Sequence, residues 1–221
     1  MHSRRLARVA GALAGGLAAL LAGACGGLGG EPPSRLPVIR GADGREYQVL
    51  DRGAYKAYYG QDDKLERIEY DSNGDGRPDQ VAHHRGRKLP DLIEIDEGFD
   101  GATDRWEEYD PQGRLTRVGV SRRGGGQPDL WQVLGPDNQP ARREYDDDGD
   151  GRVDRSELLS AGRLARLEID GDRDGRVDRW QEWRDGRLAS EDLDTDGDGR
   201  PDRRLSYGAG GRLQGLERLA R

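Results

Sequence analysis

One cysteine and three histidines in 221 residues leave little for several kinds of chemistry. Cys25 has no second cysteine to pair with, so no internal disulfide holds the fold. Thiolate and paired-imidazole metal sites, the sort that favour zinc or copper, are excluded with it. Apolar residues are also scarce. They make up 33% of the chain against 36% charged residues, too few for a thick globular core. Basic charge is in deficit, with 36 Lys and Arg against 43 Asp and Glu and a net charge of −7, so a phosphate backbone is a poor partner and nucleic acid is excluded. Catalytic constellations are missing as well. His83 and His84 are neighbours that an extended strand points to opposite faces, and they are expected to be a surface pair. Ser156, Ser160, Ser190 and Ser206 have no histidine or lysine companion in the pattern, so no enzyme is expected.

The first 24 residues read as a signal peptide. Arg4, Arg5 and Arg8 give a positive start, Val9 to Leu21 an apolar Ala/Gly-rich stretch, and small residues lead to Cys25. The stretch is too short and too glycine-rich for a membrane span. Its end, Leu21-Ala22-Gly23-Ala24-Cys25, resembles a bacterial lipobox. That resemblance implies a lipid on the Cys25 sulfur and a place in the bacterial cell envelope, the outer membrane in a Gram-negative cell. From Cys25 to Gly44 the Gly-Gly and Pro32-Pro33 pairs, with no apolar period, predict a flexible tether.

From residue 45 to 221 the chain repeats. Asp/Gly loops of nine residues start at Asp71, Asp96, Ser121, Asp146, Asp170 and Asp194, at spacings of 25, 25, 25, 24 and 24. A polar, glycine-rich composition is typical of disorder, and this regular period argues against it. Counting back one more period gives about seven units. Each unit holds a loop, a short strand, a tight turn and a second strand. The first strand carries a large residue at its fifth place (Tyr59, His84, Tyr109, Leu134, Leu159, Trp183, Tyr207), and Trp106, Trp131 and Trp180 mark a second column of opposite parity. Gln112-Gly113, Ala161-Gly162 and Asp185-Gly186 supply turns, and Leu65, Leu115, Leu164, Leu188 and Leu213 open the second strands. Gly or Pro interrupts every window long enough for a helix. The expected fold is all-β, an antiparallel meander of hairpins, with a narrow solenoid as the alternative.

Four loops carry oxygen side chains at positions one, three, five and nine: Asp71, Asn73, Asp75 and Asp79; Asp146, Asp148, Asp150 and Asp154; Asp170, Asp172, Asp174 and Asp178; Asp194, Asp196, Asp198 and Asp202. Carboxylates crowded at alternate positions repel unless a cation lies among them. Hard oxygen donors on a flexible loop suit Ca²⁺ over zinc, copper or Mg²⁺. The loop at Asp96 has Gly98 at position three, and the loop at Ser121 has lost its ligands to Arg123 and Gly125. Gly at position six and Asp at position nine persist in all six, so these two are read as shaping the turn itself.

The stretch Asp146 to Leu158 (DDDGDGRVDRSEL) resembles the EF-hand calcium loop, with Glu157 at position twelve. An EF-hand is flanked by helices, whereas strand positions flank this loop. The resemblance is to the loop alone, and the short loops are similar to those of dockerins and thrombospondin type 3 repeats. Tyr109 to Thr116 (YDPQGRLT) resembles a YD repeat, a family of β-hairpins in a spiralling sheet. Together these readings predict a calcium-binding, lipid-anchored envelope module whose protein or glycan partner the sequence does not name. The alternative is a metal-independent adhesion or carbohydrate-binding surface on the Trp and Tyr columns.

Overall fold

The computed structural model describes residues 36–220. Among them there is no helix, and sixteen strands form one antiparallel sheet in which spatial order equals chain order. The strands are β1 (Val38–Arg40), β2 (Glu46–Asp51), β3 (Tyr55–Tyr59), β4 (Leu65–Tyr70), β5 (Gln80–His83) and β6 (Leu92–Ile95). Next come β7 (Arg105–Tyr109), β8 (Leu115–Val120), β9 (Leu130–Leu134), β10 (Pro140–Tyr145) and β11 (Arg155–Ser160). The array continues with β12 (Arg163–Ile169), β13 (Arg179–Arg184), β14 (Arg187–Leu193), β15 (Arg203–Tyr207) and β16 (Leu213–Arg218). Each strand touches only the one before and the one after it. The sheet is therefore a single open meander, and the solenoid alternative does not apply.

Seven hairpins, from β3–β4 to β15–β16, match the seven sequence units, and an eighth, β1–β2, precedes them. That first hairpin corrects the expected tether, because the sheet starts at Val38 instead of residue 45. Its turn is held locally. Gly41 N–H donates to the Arg45 carbonyl, while the Asp43 carboxylate accepts from Arg45 N–H and Tyr47 O–H. Asp43-Gly44 is a turn signal between Val-Ile and Tyr-Gln-Val, and the nearby Pro37 and glycines mask it as linker. The expected leader, Cys25 and the expected tether up to residue 35 lie outside the described residues.

Two-residue turns join β11 to β12 and β13 to β14. Ala161 and Gly162, like Asp185 and Gly186, all have positive φ, the geometry that suits the twist of tight hairpins. At the fifth place of the first strand the register shifts in six hairpins, at Tyr59, Tyr109, Leu134, Leu159, Trp183 and Tyr207, so the second strand carries one extra residue just after the turn.

One cross-strand row shows where apolar packing lies. Ala57, Ile68, Ala82 and Ile93 stand opposite one another across β3 to β6, and the row continues through Glu107, Val118 and Gln132 to Arg143 and Glu157. The first four are buried, Ala82 and Ile93 at 2% exposure. Beside them Arg67 lies over the Tyr58 ring at 3.9 Å, Tyr47 meets Tyr58 edge-on at 6.0 Å, and Tyr58 O–H donates to Glu69 at 2.6 Å. The tryptophan column also packs. Trp106 is buried, and the Trp131 ring rests against Gly119, where a Cβ would come within 2.8 Å of it, with Arg117 on the ring at 3.9 Å.

The histidines depart from the expected surface pair. His83 Nε2 lies 2.8 Å from Glu94 Oε2, which holds the Glu94 carboxyl below its usual range, while His84 is buried at 4% exposure. Burial pushes the His84 imidazole down from its ordinary value. The turn between β5 and β6, residues 84–91, is longer than the others and folds over this ring.

Candidate metal-loop edge

In a meander, alternate connections fall on opposite edges of the sheet. Tight turns close the hairpins on one edge, so all six Asp/Gly loops lie side by side on the other. Each loop is stapled to its predecessor by the backbone, because the N–H at position one donates to the carbonyl at position nine of the loop before. The distances are 2.8 Å for Asp96 to Asp79, 2.8 Å for Ser121 to Asp104, 3.1 Å for Asp146 to Asp129, 2.8 Å for Asp170 to Asp154 and 2.9 Å for Asp194 to Asp178.

Inside a loop the side chains first organise the backbone. At position one, the Asp146 carboxylate accepts the N–H groups of Gly149 at 2.6 Å and Gly151 at 2.9 Å, and Asp71, Asp170 and Asp194 do the same at their equivalents. At position nine, Asp154 accepts from Asp147 N–H at 2.5 Å and Asp148 N–H at 3.1 Å. The position-nine Asp in every loop accepts at least one such bond, including Asp104 and, in the ligand-poor loop, Asp129. Position six has φ between 68° and 90° in all six loops, a region in which glycine alone is unstrained. The shaping roles expected of Gly six and Asp nine are thus visible as bonds and angles.

Carboxylate oxygens also converge within the loops. In three loops the oxygens of Asp146, Asp148 and Asp154, of Asp170, Asp172 and Asp178, and of Asp194, Asp196 and Asp198 lie within 4.8 Å of one another. Two oxygens on opposite sides of a Ca²⁺ at about 2.3–2.6 Å each are about 5 Å apart, so each group fits around one such ion. These Asp groups could hold a metal ion. Asp150, Asp174 and Asp202 fall outside the close groups. In the loop at Asp71, the Asn73 amide donates to Asp75 at 3.2 Å, and Asp71, Asp75 and Asp79 do not form such a close set. Glu157 stands on β11, where it accepts from Tyr145 O–H at 3.1 Å, Arg155 at 3.0 Å and Arg143 at 3.4 Å, apart from the Asp146 group.

Arginines are the members that sequence reading missed. Arg173 Nη1 pairs with Asp148 Oδ2 at 3.1 Å, across two loops. Arg123 reaches the carbonyls of Asp146 and Asp147 in the next loop. Arg122 donates to Asp129 Oδ1 at 2.7 Å and to the Asp129 carbonyl at 3.0 Å, and lies 3.5 Å from Asp147. A basic residue at position two, three or four of a loop next to an acidic one is the signal that would have found them.

No family model matches the chain, and no curated protein matches it. Among solved structures, similarity extends to accessory secretory proteins 1, 2 and 3 of Streptococcus pneumoniae (12% identity, 60% of this chain and 23% of that one, TM-score 0.33). It extends also to a GtfA/B complex bound to UDP and GlcNAc (16% identity, 64% and 28%, TM-score 0.34). The chain spans about a quarter of the length of these proteins, and at such TM-scores the likeness has no bearing on function.

Proposed function

We propose that the chain is a calcium-binding, lipid-anchored envelope module in which divalent cations occupy the acidic loops along one edge of a thin β-array. The observation that carries this reading is the recurrence, in register, of three carboxylate groups with oxygens within 4.8 Å. Like charges held so close repel, and an ion among them removes that cost. Asp146, Asp148 and Asp154, Asp170, Asp172 and Asp178, and Asp194, Asp196 and Asp198 would be the principal donors. Asp150, Asp174 and Asp202, together with water, would complete the shells, and Asp71, Asn73, Asp75 and Asp79 form a weaker loop. Oxygen donors alone, on loops free to adjust, favour Ca²⁺ over the smaller and more rigid Mg²⁺. Bound cation screens the acids and fixes each loop against its stapled neighbour, so the module is a scaffold for a protein or glycan partner. Cys25, through a lipid, would hold it to the membrane. The rival glycan-binding surface on the aromatic column has less behind it, since Trp106 and Trp131 are engaged in packing.

Melting the purified chain in Ca²⁺, in Mg²⁺ and in chelator tests the reading. Stabilisation by mass action raises the melting temperature most in millimolar-range Ca²⁺, less in Mg²⁺. Identical curves in all three leave Asp and Gly as turn formers only.

A further inference from the structure

Apolar burial and close acidic groups separate along the chain. Among the described residues, every buried apolar side chain lies between Tyr47 on β2 and Leu130 on β9. After Leu130 the central row is Gln132, Arg143, Glu157, Leu167, Gln181, Glu191, Leu205 and Leu216, and its three leucines are not buried. The three close carboxylate groups begin where apolar burial has stopped, at Asp146. Loop 121–129 stands between the two regions, and its own guanidinium does the work of a cation. Arg122 donates to both a carboxylate oxygen and the carbonyl of Asp129, which is buried at 5% exposure, and Ser121 Oγ accepts from Gly125 N–H at 3.1 Å. This loop is closed without an external ion.

We infer that β1–β10 is a self-supporting sheet and that β11–β16 is a conditional extension of it, folded but marginal without divalent cation, so that it opens more often, and held closed when cation is present. The inference rests on the cation reading for its trigger, and on the segregation of burial for its boundary. Two physical points connect them. In an array where each unit contacts only its neighbours, stability is a sum of unit and interface contributions, so one stretch opens while another persists. Ligand binding stabilises only the units that hold a site, by an amount that grows with free ligand over its dissociation constant. Units with buried Ile68, Ile93 and Val118 gain little from an ion, whereas units with acidic loops and half-exposed strands depend on it. Changes in external Ca²⁺ would then alter how much of the array stays closed. Uniform stiffening of all sixteen strands is the alternative.

Hydrogen exchange read by mass spectrometry on the full chain separates these outcomes, with bound Ca²⁺ counted by equilibrium dialysis in the same samples. Expected in chelator is exchange at least tenfold faster in peptides from β11–β16 than in β2–β9, and with Ca²⁺ a slowing confined to β11–β16. Arg122→Gln should loosen loop 121–129 and β9–β10 equally with and without Ca²⁺, because the charge it removes is internal. If Ca²⁺ binds and protection rises evenly over both regions, or β11–β16 is as protected in chelator as β2–β9, the inference is overturned. If no Ca²⁺ is retained, the cation reading itself fails, and with it the trigger.

Discussion

Asp154 combines two roles that substitution can separate. Its carboxylate, 9% exposed, accepts two backbone N–H groups and also belongs to the Asp146 group. A hydrogen bond to a charged acceptor is worth about 1.5–3 kcal/mol, but Asp147 and Asp148 lie in an exposed loop where water replaces part of what is lost. Asp154→Ala should therefore cost about 2–3 kcal/mol in chelator. Asparagine keeps an oxygen in the same place and loses only the charge, so Asp154→Asn should cost about 1 kcal/mol, the difference between charged and neutral bonds. Urea unfolding followed by tryptophan fluorescence measures both values. In Ca²⁺ the two variants should converge in one respect: each loses most of the cation-dependent increment of this loop, since each lacks the anionic donor. Equal stability of the two variants in chelator, or no loss on Asp154→Ala, would refute the turn-shaping role of position nine.

Two further outcomes follow from packing and burial. Gly119→Ala places a Cβ within 2.8 Å of the Trp131 ring, which Arg117 also contacts, so it should destabilise by about 1–3 kcal/mol in a urea melt and alter Trp131 fluorescence. His84 has its folded-state pKa depressed below the ordinary 6.5 by burial, so the unfolded chain binds its proton more readily. Its contribution is intact above the unfolded value and is lost as pH falls through the folded one. The urea midpoint should thus drop as pH falls below about 6.5, and His84→Gln should flatten that drop.

The repeat was legible because it is local. Loop spacing, the fifth-place residues from Tyr59 to Tyr207 and the Asp185-Gly186 turn are all set by residues close in sequence, and the strands fall where they predict. The shaping roles of Gly151 and Asp154 were legible for a different reason. Their equivalents persist in loop 121–129, where ligands are gone, so one chain supplies its own control. What escaped depends on register between strands. Glu157 fits position twelve as text, yet β10 and β11 pair so that Arg143 stands opposite it and Tyr145 reaches it. His84 looks like half of a surface pair until the long β5–β6 turn covers it. Arg123 meets Asp146 across 23 residues, a contact that only the alignment of neighbouring loops creates.

The most direct test of the account is a Ca²⁺ binding isotherm on the purified chain by equilibrium dialysis, repeated for Asp148→Ala and Arg123→Ala. Saturable uptake of more than one ion, half-complete at about 10⁻⁴–10⁻³ M, is the predicted result, with weaker or fewer sites in Asp148→Ala and an unchanged number in Arg123→Ala. A chain that retains no Ca²⁺ in this range, or one that loses a site with Arg123 but not with Asp148, would contradict it.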